Sequence, residues 1–221
     1  MKPGTLRRLW AGVLLAGLLP ALRLIYSGGR WLRGDLGALG ANPVETATHT
    51  TGAWALYLLL ATLLITPLRR LLGLGWLLRF RRLLGLLSFA YASLHFMIWC
   101  SERLAPQING DSSTAGSLSA ELAKRPFITL GFLAFLLLLP LAATSTQGMI
   151  RRLGRRWQML HRLVYASALL AVMHFAWLVK ASLRRPLVCG ALLLLLLGVR
   201  LVYWMRDFSH DLAPPRDPPP S

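Results

Sequence analysis

Residues 157–179 read WQMLHRLVYASALLAVMHFAWLV, an apolar stretch that is long enough to cross a lipid bilayer as a helix. It carries His161 near one end and His174 near the other. Ionisable side chains inside a membrane span are costly and usually functional, so both histidines need an explanation. At a rise of 1.5 Å per residue, the two positions lie roughly 20 Å apart along the helix axis. One histidine is therefore expected near each face of the hydrocarbon layer.

A third histidine, His95, lies in a second apolar stretch, SFAYASLHFMIWC, at residues 88–100. Neutral imidazole is the commonest metal ligand and a frequent axial ligand of haem iron. A haem with two histidine ligands needs one from each of two facing helices. His95 and His174 are predicted at similar depth, in the external halves of their spans. Periodicity alone leaves two interpretations open: a haem between them, or histidines that are hydrogen-bonded across helix pairs.

Composition places the chain in the membrane, because 55% of its residues are hydrophobic, 15% are charged and its mean hydropathy is +0.53. We expect an all-α protein with one six-helix transmembrane domain at residues 9–205. A short cytoplasmic tail, residues 1–8, would precede it, and a disordered proline-rich tail, residues 206–221, would follow. The six predicted spans are Leu9–Tyr26, Ala53–Leu68, Leu83–Cys100, Phe127–Ala143, Leu160–Leu178 and Leu187–Met205.

The formal charge of +17 is explained by membrane topology rather than by nucleic-acid binding. Basic residues concentrate in short cytoplasmic loops, which predicts that both termini are cytoplasmic in a bacterial inner membrane. The residues then assigned to the cytoplasmic side are Lys2, Arg7, Arg8, Arg69, Arg70, Arg79, Arg81, Arg82, Arg151, Arg152, Arg155, Arg156, Arg206 and Arg216. Five of the eight acids fall on the other side: Asp35, Glu45, Glu102, Asp111 and Glu121.

The basic loop between spans two and three, TPLRRLLGLGWLLRFRRLLG, ends at the cytoplasmic mouth of the span with His95. There Arg81 and Arg82 are candidates to bind a haem propionate or a phosphate. The alternative is that they only snorkel and set topology. His161 has no histidine partner at its depth, because thirteen or fourteen positions before His95 the chain has Arg82 or Arg81.

Three further features carry weaker predictions. His49, placed in an external loop before span two, is interpreted as an interfacial histidine that caps or orients that helix, with a ligand role as the alternative. The polar external loop at residues 101–126 is the expected docking surface for a partner. Arg200 in the last span is expected to snorkel toward the cytoplasmic face.

Six stretches carry a family resemblance, in order, over roughly residues 39–181: GANPVETATHTTG, LLATLLITPLRR, RRLLGLLSFAYASLH, KRPFITLGF, TSTQGMIRRLGRRWQMLHRLVY and MHFAWLVK. In these the chain resembles the MsrQ (YedZ) family of haem-binding subunits, within the ferric reductase-like transmembrane group that includes the NADPH oxidases. The resemblance implies that His95, His161 and His174 ligate haem. The oxidases have a further inner histidine on span three that this chain lacks, so one or two b haems remain possible. On an ideal helix His161 and His174 point about 140° apart, so two haems there require an irregular turn.

The function implied by the resemblance is transmembrane electron transfer, without a catalytic site in this chain. Electrons would enter from the quinone pool or a flavin reductase and leave to a periplasmic molybdopterin-containing MsrP-type subunit, which repairs oxidised methionine. The family is also associated with FMN, for which the chain shows no motif. Two rival classes remain. A histidine-relay, proton-coupled transporter would be expected to have acidic residues in its spans, and the six predicted spans have none. A cofactor-free membrane anchor would not need histidines at matched depth.

Overall fold

The computed structural model describes residues 3–108, 122–178 and 183–211, and these residues form helices joined by short turns. Six helical segments are long and apolar enough to cross a membrane, which confirms the predicted all-α membrane bundle. A 3₁₀ turn at Gly75–Leu77 precedes α3. The helices are α1 Pro3–Leu32, α2 Pro43–Leu72, α3 Leu78–Ile108, α4 Pro126–Ala143, α5 Gln147–Leu153, α6 Arg155–His161, α7 Leu163–Leu178 and α8 Arg184–Asp211.

Helix α2 begins ten residues before the predicted span because local signals start it there. The Asn42 side chain accepts a hydrogen bond from the Glu45 amide, and Pro43 occupies the first turn, where its missing N–H costs nothing. The helix ends at Gly73, whose φ of 67° is a left-handed conformation that favours glycine. His49 therefore lies inside α2 rather than in a loop, and the capping role predicted for it belongs to Asn42.

Helix α2 is the centre of the bundle and the most buried of the six spans. It packs along α3, while α4 packs along α7. Helix α8 packs against both α2 and α7. One apolar cluster joins α2, α4, α7 and α8 around Leu63, Ala168 and Leu193. A second joins α2, α3 and α1 around Leu58 and Tyr91. The two helix pairs, α2 with α3 and α4 with α7, form the walls of the candidate site.

Helix α1 contacts α3 close to its internal proline, Pro20. Pro20 disrupts the backbone ladder, and the buried Tyr91 hydroxyl enters the gap. That hydroxyl donates to the Gly17 carbonyl at 2.8 Å and accepts from the Ala21 amide at 3.0 Å. A Cβ at Gly17 would lie 2.6 Å from Leu87 Cδ1, so the Leu87 side chain would have to move to admit one. A side chain of a neighbouring helix thereby bonds to the α1 backbone beside the proline.

Arg200 of α8 does not snorkel, which corrects the sequence prediction. Its Nη2 donates to the Leu63 carbonyl at 2.6 Å, and its Nη1 donates to the Tyr165 hydroxyl. Leu63 is four residues before Pro67, which has no N–H with which to bond that carbonyl. The arginine therefore turns into the bundle because a buried backbone carbonyl of α2 needs a donor.

The ends of the predicted domain differ from the helices. Helix α1 begins at Pro3, inside the predicted cytoplasmic tail, and α8 continues to Asp211, so the first residues of the predicted disordered tail are helical. The rest of that tail, residues 212–221, lies outside the described residues, as does most of the predicted docking loop, at residues 109–121.

Candidate functional site

A cavity of about 580 Å³ lies between the α2–α3 pair and the α4–α7 pair, and both His95 and His174 line it. We call it the two-histidine cavity. The predicted facing of these two residues is therefore what the fold produces: α3 presents one imidazole and α7 the other. His161 does not line this cavity.

Each imidazole is held by a backbone carbonyl of the opposite helix in its pair. His95 Nδ1 lies 2.9 Å from the Thr48 carbonyl oxygen, and His174 Nδ1 lies 2.6 Å from the Phe127 carbonyl oxygen. A carbonyl oxygen only accepts, so in both neutral rings Nδ1 carries the proton and donates it. Within the described residues neither Nε2 makes a hydrogen bond, which leaves its lone pair for a ligand. Metal-binding histidines are commonly oriented in this way.

The distance between the two rings fits one metal ion bound between them. The ring centroids are 6.3 Å apart, and the ring planes are inclined at 73°. A metal–imidazole bond is roughly 2.0 Å and the ring centre lies about 1.1 Å beyond the nitrogen, so two imidazoles on one ion have centroids roughly 6.2 Å apart. Among the described residues, no cluster of three or more His, Cys, Asp or Glu forms a metal site. The two imidazoles are therefore the side chains that would hold a metal ion in this cavity.

Two glycines make room for the rings. A Cβ at Gly52 of α2 would lie 3.0 Å from the His95 ring, and a Cβ at Gly131 of α4 would lie 2.8 Å from His174 Nδ1. Each glycine is four residues after the carbonyl that accepts from the histidine. A Cβ at Gly131 would force the His174 ring to shift, and a Cβ at Gly52 would require the His95 ring to give by a few tenths of an ångström.

The matching contacts of the two histidines follow from an internal repeat with an offset of 79 residues. The sequence analysis did not identify this repeat. Ser88 donates to the Ala55 carbonyl, and Ser167, 79 positions later, donates to the Ala134 carbonyl. The equivalent pairs that line the cavity include Thr48/Phe127, Gly52/Gly131, Ala55/Ala134, Leu59/Leu138, Ser88/Ser167, Ala92/Ala171, His95/His174 and Phe96/Phe175. The signal is visible in the chain, where SFAYASLHF at residues 88–96 aligns with SALLAVMHF at residues 167–175. Two equivalent hairpins thus place their histidines at equal depth.

A second cavity, of about 770 Å³, lies toward the other end of the bundle, and we call it the arginine cavity. The structure brings together here the three remaining predicted residues, His161, Arg81 and Arg82, and adds Arg79. His161 stacks on Trp157 with ring centroids 3.9 Å apart, and its Nδ1 lies 3.2 Å from the Trp157 carbonyl oxygen. Leu59 and Leu138 line both cavities and separate them.

The helical span that carries His161 and His174 contains an irregular turn between them. Helix α6 ends at His161 and α7 begins at Leu163. Across the break the Arg162 amide bonds to the Met159 carbonyl and the Tyr165 amide to the Arg162 carbonyl, both with three-residue spacing. Such tight 3₁₀ turns change the rotation per residue. The break thus lies between His161, which lines the arginine cavity, and His174, which lines the two-histidine cavity.

Known proteins are similar to this chain over most of its length. The sequence profile described as ferric reductase like transmembrane component matches residues 51–172. Proteins named protein-methionine-sulfoxide reductase heme-binding subunit MsrQ are similar over most of the chain. The one from Ralstonia nicotianae is 45% identical, covering 93% of this chain and 89% of its own length. Those from Bordetella parapertussis and Xanthomonas campestris pv. campestris are 48% and 49% identical, covering 88% and 82% of this chain and 89% and 82% of their own lengths.

Proposed function

Because the chain belongs to the ferric reductase-like transmembrane family and to its MsrQ branch, we propose that it is a haem b subunit that carries electrons across the membrane for a methionine sulfoxide reductase. The observation that supports haem binding best is the facing pair His95 and His174, with centroids 6.3 Å apart and both Nε2 atoms available. When bound, haem supplies one-electron redox chemistry. The backbone carbonyls of Thr48 and Phe127 would orient its ligands.

The test of this function is the visible spectrum of the purified protein, oxidised and then reduced with dithionite. We expect a low-spin spectrum with two imidazole ligands in both states. Purified protein without haem, prepared from cells with adequate haem supply, would refute the proposal.

The proposed partners follow from the family and from the direction of transfer. We propose that the protein lies in the bacterial inner membrane, with both termini in the cytoplasm. Electrons would come from the quinone pool or a flavin reductase and leave to a periplasmic molybdopterin-containing catalytic subunit of the MsrP type. The names of the relatives support a reductase complex with a separate catalytic subunit.

Reporter fusions test the orientation of the chain. Fusions at Asp111 and Leu183 are expected to report the periplasm, and fusions at Gly75 and Gly154 the cytoplasm, because arginines concentrate in the segments near Gly75 and Gly154. Alkaline phosphatase and green fluorescent protein fusions report the two sides. The opposite pattern would reverse the proposed direction of electron flow.

The glycines at the two-histidine cavity give a second prediction. Gly131→Ala is expected to lower haem affinity roughly 10–100-fold, as the loss of an orienting contact does, because the new Cβ displaces the His174 ring. Gly52→Ala should have the same effect, but a smaller one, since its Cβ would be 3.0 Å and not 2.8 Å from the ring. Haem titration checks both. The control is Gly85→Ala, whose Cβ would make only ordinary contacts with Thr62 at 3.8 Å. Equal haem affinity in all three variants would contradict the close packing.

We propose that the arginine cavity is the site of electron entry, with His161, Arg81 and Arg82 binding an anionic cofactor. The internal repeat supports this assignment, since Arg82 is the counterpart of His161, as His95 is of His174. A second haem here would have one imidazole ligand from these helices, because a guanidinium remains protonated and cannot coordinate iron. Its propionates, or the phosphate of FMN, would find charge-assisted donors in the arginines.

Removing these donors tests the assignment. Arg81→Ala with Arg82→Ala is expected to reduce cofactor occupancy at this cavity, or the rate of reduction from the cytoplasmic side, by about tenfold or more, since two charge-assisted hydrogen bonds are lost. His161→Ala should act in the same direction, and the spectrum of the haem at His95 and His174 should persist. The matched control is Arg151→Ala with Arg152→Ala, which removes equal charge from α5 outside the cavity lining. Wild-type occupancy and rates in Arg81→Ala/Arg82→Ala and in His161→Ala would show that these residues set topology only.

A further inference from the structure

The charged side chains of the two-histidine cavity, with Asn42 and His49, lie at one end, beyond the paired histidines. This end, which we call the mouth, is formed by the first turns of α2, the last part of the α3 span and the residues before α4. Its polar members are Asn42, Glu45, His49, Glu102 and Arg125. At the opposite end the wall consists of Leu59 and Leu138, and the nearby hydroxyls of Ser88 and Ser167 are already bonded to backbone carbonyls.

A b-type haem has the same polarity. One edge of the macrocycle carries two carboxylates and the rest carries methyl and vinyl groups. An ionised carboxylate in an apolar wall costs far more than a hydrogen-bonded one at a wet mouth. The apolar edge therefore belongs against Leu59 and Leu138, and the carboxylate edge belongs at the mouth. His49 and Arg125 are the donors there that suit a carboxylate, whereas Glu45 and Glu102 repel it.

His49 is not explained by the packing of the bundle. Its counterpart in the internal repeat is Ile128, which is buried, whereas about half of the His49 side chain is exposed. Its only ion-pair contact among the described residues is with Glu45, at 3.6 Å between Nε2 and Oε1. That distance is too long for a hydrogen bond, so a ring N–H remains available to a ligand. Arg125 is two residues before Phe127, whose carbonyl orients His174, and it places a second donor on the α4 side.

Resting on the proposed haem site, we propose that His49 and Arg125 bind the two haem carboxylates at the mouth of the two-histidine cavity and thereby give the haem one orientation. The donors stand on different helix pairs, His49 on α2 and Arg125 before α4, as the two carboxylates stand on different pyrrole rings. The internal repeat makes the axial ligands equivalent, and these two side chains remove the equivalence at the edge of the macrocycle.

The experiment compares haem b with its dimethyl ester, which keeps the macrocycle and iron but has no carboxylate. Full-length protein prepared from haem-deficient cells is titrated with each, and occupancy is read from the low-spin signal that His174→Ala removes. Wild-type protein should prefer haem b at least tenfold, because each charge-assisted hydrogen bond is roughly twice as strong as a neutral one. His49→Leu and Arg125→Gln should each reduce that preference severalfold, and the double variant should bind the two compounds equally.

Glu102→Gln is the control, because it changes a charged residue at the mouth but removes a repulsion, and its preference for haem b should be unchanged or greater. An unchanged preference in His49→Leu, or in Arg125→Gln, would overturn the role of that residue. Unchanged preference in both would overturn the proposed orientation, while low-spin binding of both compounds would leave the haem function standing. A wild-type protein that binds neither compound would refute the haem function itself.

Discussion

His95→Ala and His174→Ala are each expected to abolish the low-spin spectrum of the haem in the two-histidine cavity. Each variant removes one of two axial nitrogens, and water or a weaker group must then occupy the vacated coordination position. Of the other histidines that line a cavity in the described part of the chain, His161 lines the arginine cavity and His49 lies at the mouth, away from the vacated position. The loss should appear as conversion to a high-spin spectrum together with a lower haem content in the purified protein.

His161→Ala is the matched control for this experiment, since it removes the third histidine of the same spans without touching the two-histidine cavity. Its low-spin signal should be retained. Addition of imidazole should restore low-spin haem in His95→Ala or His174→Ala, because the methyl side chain leaves room for the missing ring. An unchanged low-spin spectrum in both alanine variants would show that the axial pairing is wrong.

The second large effect is expected at Arg200. Arg200→Met removes the donor to the Leu63 carbonyl and the donor to the Tyr165 hydroxyl, and it leaves the carbonyl buried without a partner. Losing a charged hydrogen bond and stranding a buried acceptor together cost on the order of 2–4 kcal/mol of unfolding free energy. The measurement is the thermal unfolding midpoint in detergent, with Tyr165→Phe as the variant that loses only the hydroxyl contact and should be affected less.

Pro67→Ala separates this explanation from a general loss of packing. Alanine supplies an N–H at position 67 that can donate to the Leu63 carbonyl within α2. That carbonyl then no longer needs Arg200 as its donor. Arg200→Met should therefore destabilise the Pro67→Ala background less than the wild type, and the double-mutant cycle should give a coupling energy of about 1 kcal/mol or more. Additive effects would show that Arg200 does not replace the N–H that Pro67 lacks.

Much of the fold was predictable because it depends on local properties of the chain. Six apolar stretches of membrane length specify six spans, and a constant rise per residue relates the depth of His95 to that of His174. The grouping of His161 with Arg81 and Arg82 followed from the same counting. The boundaries were less accurate, because Asn42 and Pro43 begin α2 in a segment too polar to look like a span.

The sequence by itself determined the membrane class, the six spans and the identity of the two facing histidines, since hydropathy and helical rise act over a few residues. Only the tertiary structure decided which nitrogen of each ring is left for a ligand. Nδ1 bonds to the backbone carbonyl of Thr48 or Phe127, and residue type does not predict such a contact. The tertiary structure also decided that Arg200 turns inward and that His49 lies at the mouth of the cavity. Side-chain direction depends on the partners that neighbouring helices present, and a buried carbonyl without an N–H attracts a distant donor more strongly than solvent does.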